Sequence, residues 1–281
     1  MTKLRQRMIQ DMQLAGLTQG TQDAYVRSVQ SLAKYHRQSP DQLTDEQVRE
    51  FFLHLARERK LAMATQINYR AAIKFLYVKT LQRPLPVFDL VRPERRHRLP
   101  VILSLGEVRR LLSMVEDHGI RMCLTMIYTC GLRLQEGTRL QVQDIHSDRM
   151  LIHVRRGKGG KDRYVPLPRR SLELLRQYWV RERPATWLFP EKAAPDRPVW
   201  RARPYRVLKA VVRQSKIGKP VSTHTLRHSY ATHLLEAGVN LRVIQEVLGH
   251  KSPKTTAIYT HMTPAVIAGL QDTINGLMAR F

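Results

Sequence analysis

A segment rich in proline and arginine divides the chain at about one third of its length. Residues 85–100 contain three prolines and four arginines. Proline disfavours a helix here, and the clustered arginines repel one another unless an anion lies nearby. The chain has 281 residues, enough for about two domains. We therefore expect one domain over residues 1–88, a basic linker over 89–103 and a second domain over 104–281.

The first domain is predicted to be helical. Thr44 and Gln47 have the spacing of a capping box, in which each side chain bonds the backbone N–H of the other residue at the start of a helix. Apolar residues follow at helical spacing, and the same spacing recurs within residues 25–33 and 65–78. No catalytic cluster is found in this part, so the pattern indicates a small basic helical module.

The second domain is predicted to combine helices with a small sheet. Ser104 and Glu107 form a second capping box, and an apolar helical stretch over residues 121–130 stops at Gly131. Two β-prone runs, residues 151–154 and 164–165, flank a glycine- and lysine-rich turn, which is typical of a hairpin. The expected fold class is therefore mainly α, with a small antiparallel β-sheet in the C-terminal domain.

The charge of the chain points to a polyanionic partner. Lys and Arg total 48 against 23 for Asp and Glu, a formal net charge of +25. Nucleic acid suits this excess better than a membrane surface, because the arginines are spread along the whole chain and do not form one basic amphipathic helix. A role in solubility alone is the remaining alternative. No run approaches the ~18 apolar residues of a membrane helix, and the N-terminus lacks an apolar signal core, so we expect a cytoplasmic protein.

One helix is a candidate phosphate site. Thr223 or Thr225 is expected to cap it and Gly238 to end it. His224 and Arg227 lie three residues apart, so they share a face near the N-terminus, where free N–H groups and the helix dipole favour anions. An ordinary surface arginine beside a capping histidine would explain the same residues.

Arg133 directly follows the stop at Gly131, on an element expected to be rigid and buried. A buried arginine needs an anionic partner. That partner is either Glu136, three residues along the chain, or a substrate phosphate; the sequence leaves both open.

The remaining candidates are Lys158, His250 and Tyr259. Lys158 lies in the hairpin turn, which is not a nucleotide-binding P-loop, because Asp162 follows Lys161 where that motif requires Ser or Thr. His250 follows a short helix that ends at a glycine. Each of these residues taken alone is explained by an ordinary structural role.

The ordered set is far more specific than its members. It comprises Arg133, Lys158, His224, Arg227, His250 and Tyr259. With the Gly-Leu-Arg-x-x-Glu, His-x-x-Arg-His and Leu-Gly-His motifs around it, this set resembles the tyrosine recombinase (phage-integrase) family over the whole second domain, in the style of Xer-type recombinases and integron integrases. Gln135 stands where the family commonly has Ser. The span from Lys158 to His224 is too short for the extra helix of integron integrases, which argues against folded single-stranded DNA as substrate.

The resemblance implies a metal-free strand exchange. Tyr259 would attack a DNA backbone phosphate held by Arg133 and Arg227, with His224 acting as base. His250 would donate a hydrogen bond to the phosphate. Lys158 would give a proton to the departing 5′-hydroxyl, and the product would be a 3′-phosphotyrosine. No cofactor, metal or ATP is implied.

The resemblance also implies an assembly. The N-terminal module would be a core-binding domain that closes a two-domain clamp on double-stranded DNA. Four copies would join two sites, with each C-terminal helix, here residues 265–278, docking into a neighbour. The alternative is that this helix packs on its own domain.

Three rival hypotheses remain from the sequence. The first is a DNA-binding regulator without chemistry, because residues 230–250 loosely resemble a helix-turn-helix. The second is a type IB topoisomerase, which differs in assembly and not in residues. The third is a histidine-rich metalloenzyme, which is disfavoured because no Glu stands between His224 and His228.

Overall fold

The structure is a computed structural model. It describes residues 2–84, 86–90, 100–155, 162–249 and 264–280. Within these ranges the chain is mainly helical with small antiparallel sheets, which confirms the predicted fold class. No helix in the described ranges is both long enough and apolar enough to cross a membrane.

The chain folds as two compact units, Met1–Arg98 and Leu99–Phe281. Each unit has a hydrophobic core of its own. Of the predicted linker, residues 91–99 lie outside the described residues. Leu103, near its end, is buried in the C-terminal core, where its N–H donates to Ser229 and its carbonyl contacts His233.

The N-terminal unit is a helical domain. Its helices are α1 (Lys3–Leu14), α2 (Gln19–His36), α3 (Asp45–Arg57), α4 (Met63–Phe75) and α5 (Val87–Leu90). The predicted capping box at the start of α3 is confirmed: Thr44 Oγ1 accepts from the N–H of Gln47 at 3.3 Å, and Gln47 Oε1 accepts from the N–H of Thr44 at 2.9 Å. A π-helical turn, Leu76–Thr80, continues α4.

The C-terminal unit holds all the candidate site residues. Its helices are α6 (Leu105–Ser113), α7 (His118–Thr129), α8 (Leu134–Thr138), α9 (Arg169–Glu182), α10 (Ala202–Gln214), α11 (Thr223–Glu236), α12 (Leu241–Leu248) and α13 (Pro264–Ala279). The side chains of α7 are almost entirely buried, and α6, α8, α9, α10 and α11 pack around it. The apolar stretch ahead of Gly131 is therefore the central helix of this domain.

The described part of the domain also contains two small antiparallel sheets. The first orders β1 (Ile145–His146), β2 (Leu151–Val154) and β3 (Arg163–Pro166), and the second pairs β4 (Pro190–Glu191) with β5 (Ala194–Pro198). The pairing of β2 with β3 confirms the predicted hairpin. The second sheet was missed, because its strands are short, exposed and rich in proline.

The C-terminal helix α13 packs on its own domain. Leu270, Ile274 and Met278 are buried in contact with α9, α11 and β3. Asn275 Oδ1 accepts a 2.8 Å hydrogen bond from the N–H of Arg169. Of the two placements left open by the sequence, this chain by itself adopts the one within its own domain.

Candidate active site

The candidate site begins at the turn after α7. Gly131 has a φ of +60°, and a Cβ atom there would lie 2.6 Å from the ring of Tyr230 and 2.8 Å from the side chain of Leu248. Glycine tolerates both this backbone conformation and this close approach. The turn therefore passes directly against α11 and α12 before the chain reaches Arg133.

Arg133 is held at the N-terminus of α8 by Glu136. Its Nη1 donates to Glu136 Oε1 at 2.7 Å, and its backbone N–H donates to Oε2 of the same carboxylate at 2.8 Å. Its Nη2 donates to the carbonyl oxygen of Gly249 at 2.9 Å. Glu136 is thus a partner of Arg133, while contact with a phosphate stays a prediction.

Glu136 also binds a second arginine, Arg163. Arg163 Nη1 and Nη2 donate to the two carboxylate oxygens at 2.8 Å each, and Arg227 Nη1 lies 3.7 Å from Oε2. Burial by itself would raise the pKa of Glu136, but the hydrogen bonds and charges of Arg163 and Arg133 lower it to about 2. The carboxylate is therefore ionised at neutral pH and shared among cations.

Arg163 was missed by the sequence analysis. It is 7% exposed and opens β3, where it faces the core with Val165 while Tyr164 points outward. Successive residues of a strand alternate between faces, so an arginine in register with an inward valine was the available signal. A charged residue in such a position needs a buried partner, which Glu136 supplies.

Arg227 is buried in α11. Its guanidinium donates from Nη1 to the carbonyl oxygen of Gly131 at 2.6 Å and from Nη2 to the carbonyl oxygen of Leu248. Burial, with the nearby charge of Arg133, lowers the pKa of Arg227 to about 9. The side chain therefore remains a cation at neutral pH, and its orientation is fixed by two backbone groups.

Three arginines converge on the last carbonyl groups of α12. The carbonyl oxygens of Val247, Leu248 and Gly249 accept from Arg163 Nε (3.1 Å), Arg227 Nη2 and Arg133 Nη2, respectively. Carbonyls at a helix C-terminus lack intrahelical partners and carry the negative end of the helix dipole. The three cations therefore offset that end of α12, from which the chain continues to His250.

The first turn of α11 is set by Ser222. Its Oγ accepts from the N–H of Thr225 at 3.3 Å, and Thr225 Oγ1 accepts from the N–H of Ser222 at 3.0 Å. The prediction that Thr223 or Thr225 is the N-cap was therefore wrong, because the reciprocal pair begins one residue earlier. The predicted end of the helix is confirmed, since Gly238 follows its last turn with a φ of +85°.

His224 and His228 lie on the exposed side of α11, with ring centroids 6.4 Å apart. Partial desolvation, and then the charges of Arg227 and Arg133, lower the pKa of His224 below its usual range. The ring is consequently neutral at pH 7 and able to accept a proton. Among the described residues, no three His, Cys, Asp or Glu side chains are grouped so as to hold a metal ion.

Three predicted site residues, Lys158, His250 and Tyr259, lie outside the described residues. The described chain brings the other three, Arg133, His224 and Arg227, to one place on the C-terminal unit. The hairpin that contains Lys158 also reaches this place, because Arg163, the first residue of β3, contacts Glu136.

Two family models match the chain. The model of the phage integrase family matches residues 102–265. The model of the phage integrase N-terminal SAM-like domain matches residues 4–87.

Individual proteins are similar over nearly the whole chain. An integrase/recombinase of Sinorhizobium fredii is 42% identical over 92% of this chain and 84% of its own length. The tyrosine recombinase XerD of Listeria innocua is 33% identical over 88% of this chain and 90% of its own length.

Solved structures share the fold. The lambda integrase tetramer bound to a Holliday junction superposes with a TM-score of 0.72 at 16% identity, over 89% of this chain and 77% of that one. At this level of identity the superposition shows a shared fold and nothing more.

Proposed function

This chain belongs to the phage integrase family and is a site-specific tyrosine recombinase that acts on DNA, and we propose that Tyr259 is its nucleophile. As an enzyme of DNA strand exchange it is not a regulator without chemistry. The proposal assigns the remaining roles to Arg133, Lys158, His224, Arg227 and His250.

The observation that carries the proposal is the excess of positive charge around Arg133 and Arg227. Among the described residues, the three guanidiniums of Arg133, Arg163 and Arg227 surround one carboxylate, that of Glu136. A phosphodiester carries one negative charge and gains a second as a nucleophile adds to it. Arg133 and Arg227 would stabilise that growing charge through forked hydrogen bonds to the two non-bridging oxygens.

Tyr259 would form a bond to phosphorus as the bond from phosphorus to the 5′-oxygen breaks. The phenol has an ordinary pKa near ~10, so its proton must be removed, and the neutral imidazole of His224 is suited to accept it. Lys158 would protonate the departing 5′-oxygen, and His250 would donate a hydrogen bond to the phosphate. Because the 3′-phosphotyrosine retains the bond energy, a 5′-hydroxyl of another strand can reverse the step without ATP.

The assembly is proposed by analogy. The lambda integrase whose fold this chain shares was solved as a tetramer on a Holliday junction, and we infer that four copies of this chain likewise join two double-stranded sites. The SAM-like domain would close a clamp on the duplex. Exchange of α13 between neighbours would require it to leave its own domain, where it buries Ile274. We place the enzyme in the cytoplasm with the chromosome.

Covalent trapping tests the nucleophile. The protein is incubated with a pool of nicked genomic fragments in excess chelator, and the products are separated on a denaturing gel. We expect a protein–DNA adduct that Tyr259→Phe abolishes. Tyr205→Phe is the matched control, because Tyr205 is exposed on α10 beside Lys209, and it should retain the adduct. An adduct that survives Tyr259→Phe would refute the assignment.

A further inference from the structure

Arg163 is a cation of the site to which the proposed chemistry gives no role. It is buried, with 7% exposure, in contact with Glu136 and the end of α12. All three of its guanidinium nitrogens are engaged, Nη1 and Nη2 with Glu136 and Nε with the carbonyl of Val247. Its action must therefore be exerted through its partners.

Arg163 bonds the same carboxylate, Glu136, that Arg133 bonds and that Arg227 approaches. A buried carboxylate that loses a partner takes hydrogen bonds from the cations that remain. Without Arg163, those cations would be Arg133, already bonded to Glu136, and Arg227, whose Nη1 is 3.7 Å from Oε2. Both would turn toward Glu136 and away from a bound phosphate.

Through Val247, Arg163 ties β3 to the end of α12. Its side chain also lies against Gly249, where an added Cβ would come within 3.1 Å of both Cδ and Nε. Arg163 thus belongs to the strand that follows the Lys158 turn, and its side chain contacts both Glu136, which holds Arg133, and the turn that precedes His250. The contacts link the elements that carry three of the proposed catalytic groups.

We propose that Arg163 is a positioning residue of strand exchange, which neutralises Glu136 and fixes the end of α12 so that Arg133 and Arg227 face the scissile phosphate. The inference rests on the proposed function. A residue needed only for folding would slow strand exchange to the same extent with or without the Glu136 carboxylate. A positioning role instead makes the effect of Arg163 on the rate depend on Glu136.

The test compares Arg163→Gln, Glu136→Gln and the double variant by single-turnover adduct formation on a fragment that traps the wild-type protein. Arg155→Gln is the matched control: Arg155 follows β2 in the same hairpin and pairs with buried Asp144 at 2.6 Å, whereas Arg163 pairs with Glu136. DNA affinity and thermal unfolding are measured for every variant. Loss of the adduct in Tyr259→Phe shows separately that the proposed function holds.

We expect Arg163→Gln to slow adduct formation by roughly 10- to 100-fold at unchanged DNA affinity, as displaced catalytic groups do. Arg155→Gln should lower the unfolding temperature similarly and keep the rate. Since Arg163 and Glu136 act as one unit, the double variant should be no slower than the slower single variant.

Two outcomes would overturn the proposal: a wild-type rate for Arg163→Gln, or rate losses of the two single variants that multiply in the double variant. If Arg163→Gln does not fold, Arg163→Lys is used to test the positioning role. Lysine keeps the charge but cannot form the bidentate fork, so it should slow adduct formation by ~10-fold or more with DNA affinity retained. A wild-type rate in a folded Arg163→Lys variant would contradict a positioning role.

Discussion

The carbonyl oxygen of Gly131 accepts a 2.6 Å hydrogen bond from Nη1 of Arg227, a residue 96 positions further along the chain. The bond connects the turn after the central helix α7 to the buried face of α11. The same turn leads to Arg133 two residues later, so this contact is one of those that set the separation of the two arginines proposed to bind phosphate. Both arginines therefore depend on a backbone conformation that glycine makes possible.

Gly131→Ala should disrupt this arrangement. The new Cβ would lie 2.6 Å from the ring of Tyr230 at a φ of +60°, and the combined strain and overpacking should cost roughly 2–5 kcal/mol of the free energy of unfolding. Gly238→Ala is the control, because its φ is +85° with nothing within 4 Å of the new Cβ, and it should cost only about 1–2 kcal/mol. Chemical denaturation measures both, and equal losses would show that the contact with Tyr230 is unimportant.

Arg227→Lys should separate chemistry from binding. Lysine keeps the charge but cannot bridge the carbonyls of Gly131 and Leu248 in one plane, so adduct formation should fall by roughly 10²- to 10³-fold. DNA affinity should change little, because the net charge of +25 is spread along the chain. The logarithm of the DNA affinity should still fall steeply with the logarithm of the salt concentration. A collapse of affinity with turnover preserved would reassign Arg227 to binding.

The pH dependence of cleavage should report on His224. Its pKa lies below the free value of ~6.5 because of desolvation and the charges of Arg227 and Arg133, so the ring stays neutral further into acid than a free imidazole. If it accepts the proton of Tyr259, the rate should be flat near neutral pH and fall only at a pH below the ~6.5 of a free imidazole. His224→Gln should remove this acid limb and His228→Gln should keep it; a rate that instead falls as pH rises through this range would make His224 a donor.

Local patterns predicted the elements of the fold well. The capping boxes of Thr44 and Ser104 are both present, because such signals depend on residues three apart and need no tertiary information. The hairpin was likewise predicted from local sequence, because its two β-prone runs lie on either side of one turn. Arg163 was not identified, because its partners, Glu136 and Val247, are brought to it only in the folded chain.

The capping box of α11 offers the last prediction. Ser222→Ala removes the acceptor for the N–H of Thr225 and should cost about 1 kcal/mol of the free energy of unfolding. Because His224 and Arg227 stand in the first two turns of this helix, fraying there should also slow adduct formation.

Ser104→Ala is the control, since it removes an equivalent cap from α6, which carries none of the proposed catalytic residues. We expect equal shifts in unfolding temperature and a rate loss for Ser222→Ala alone; equal rates in the two variants would mean that the first turn of α11 is held in place by packing and not by its cap.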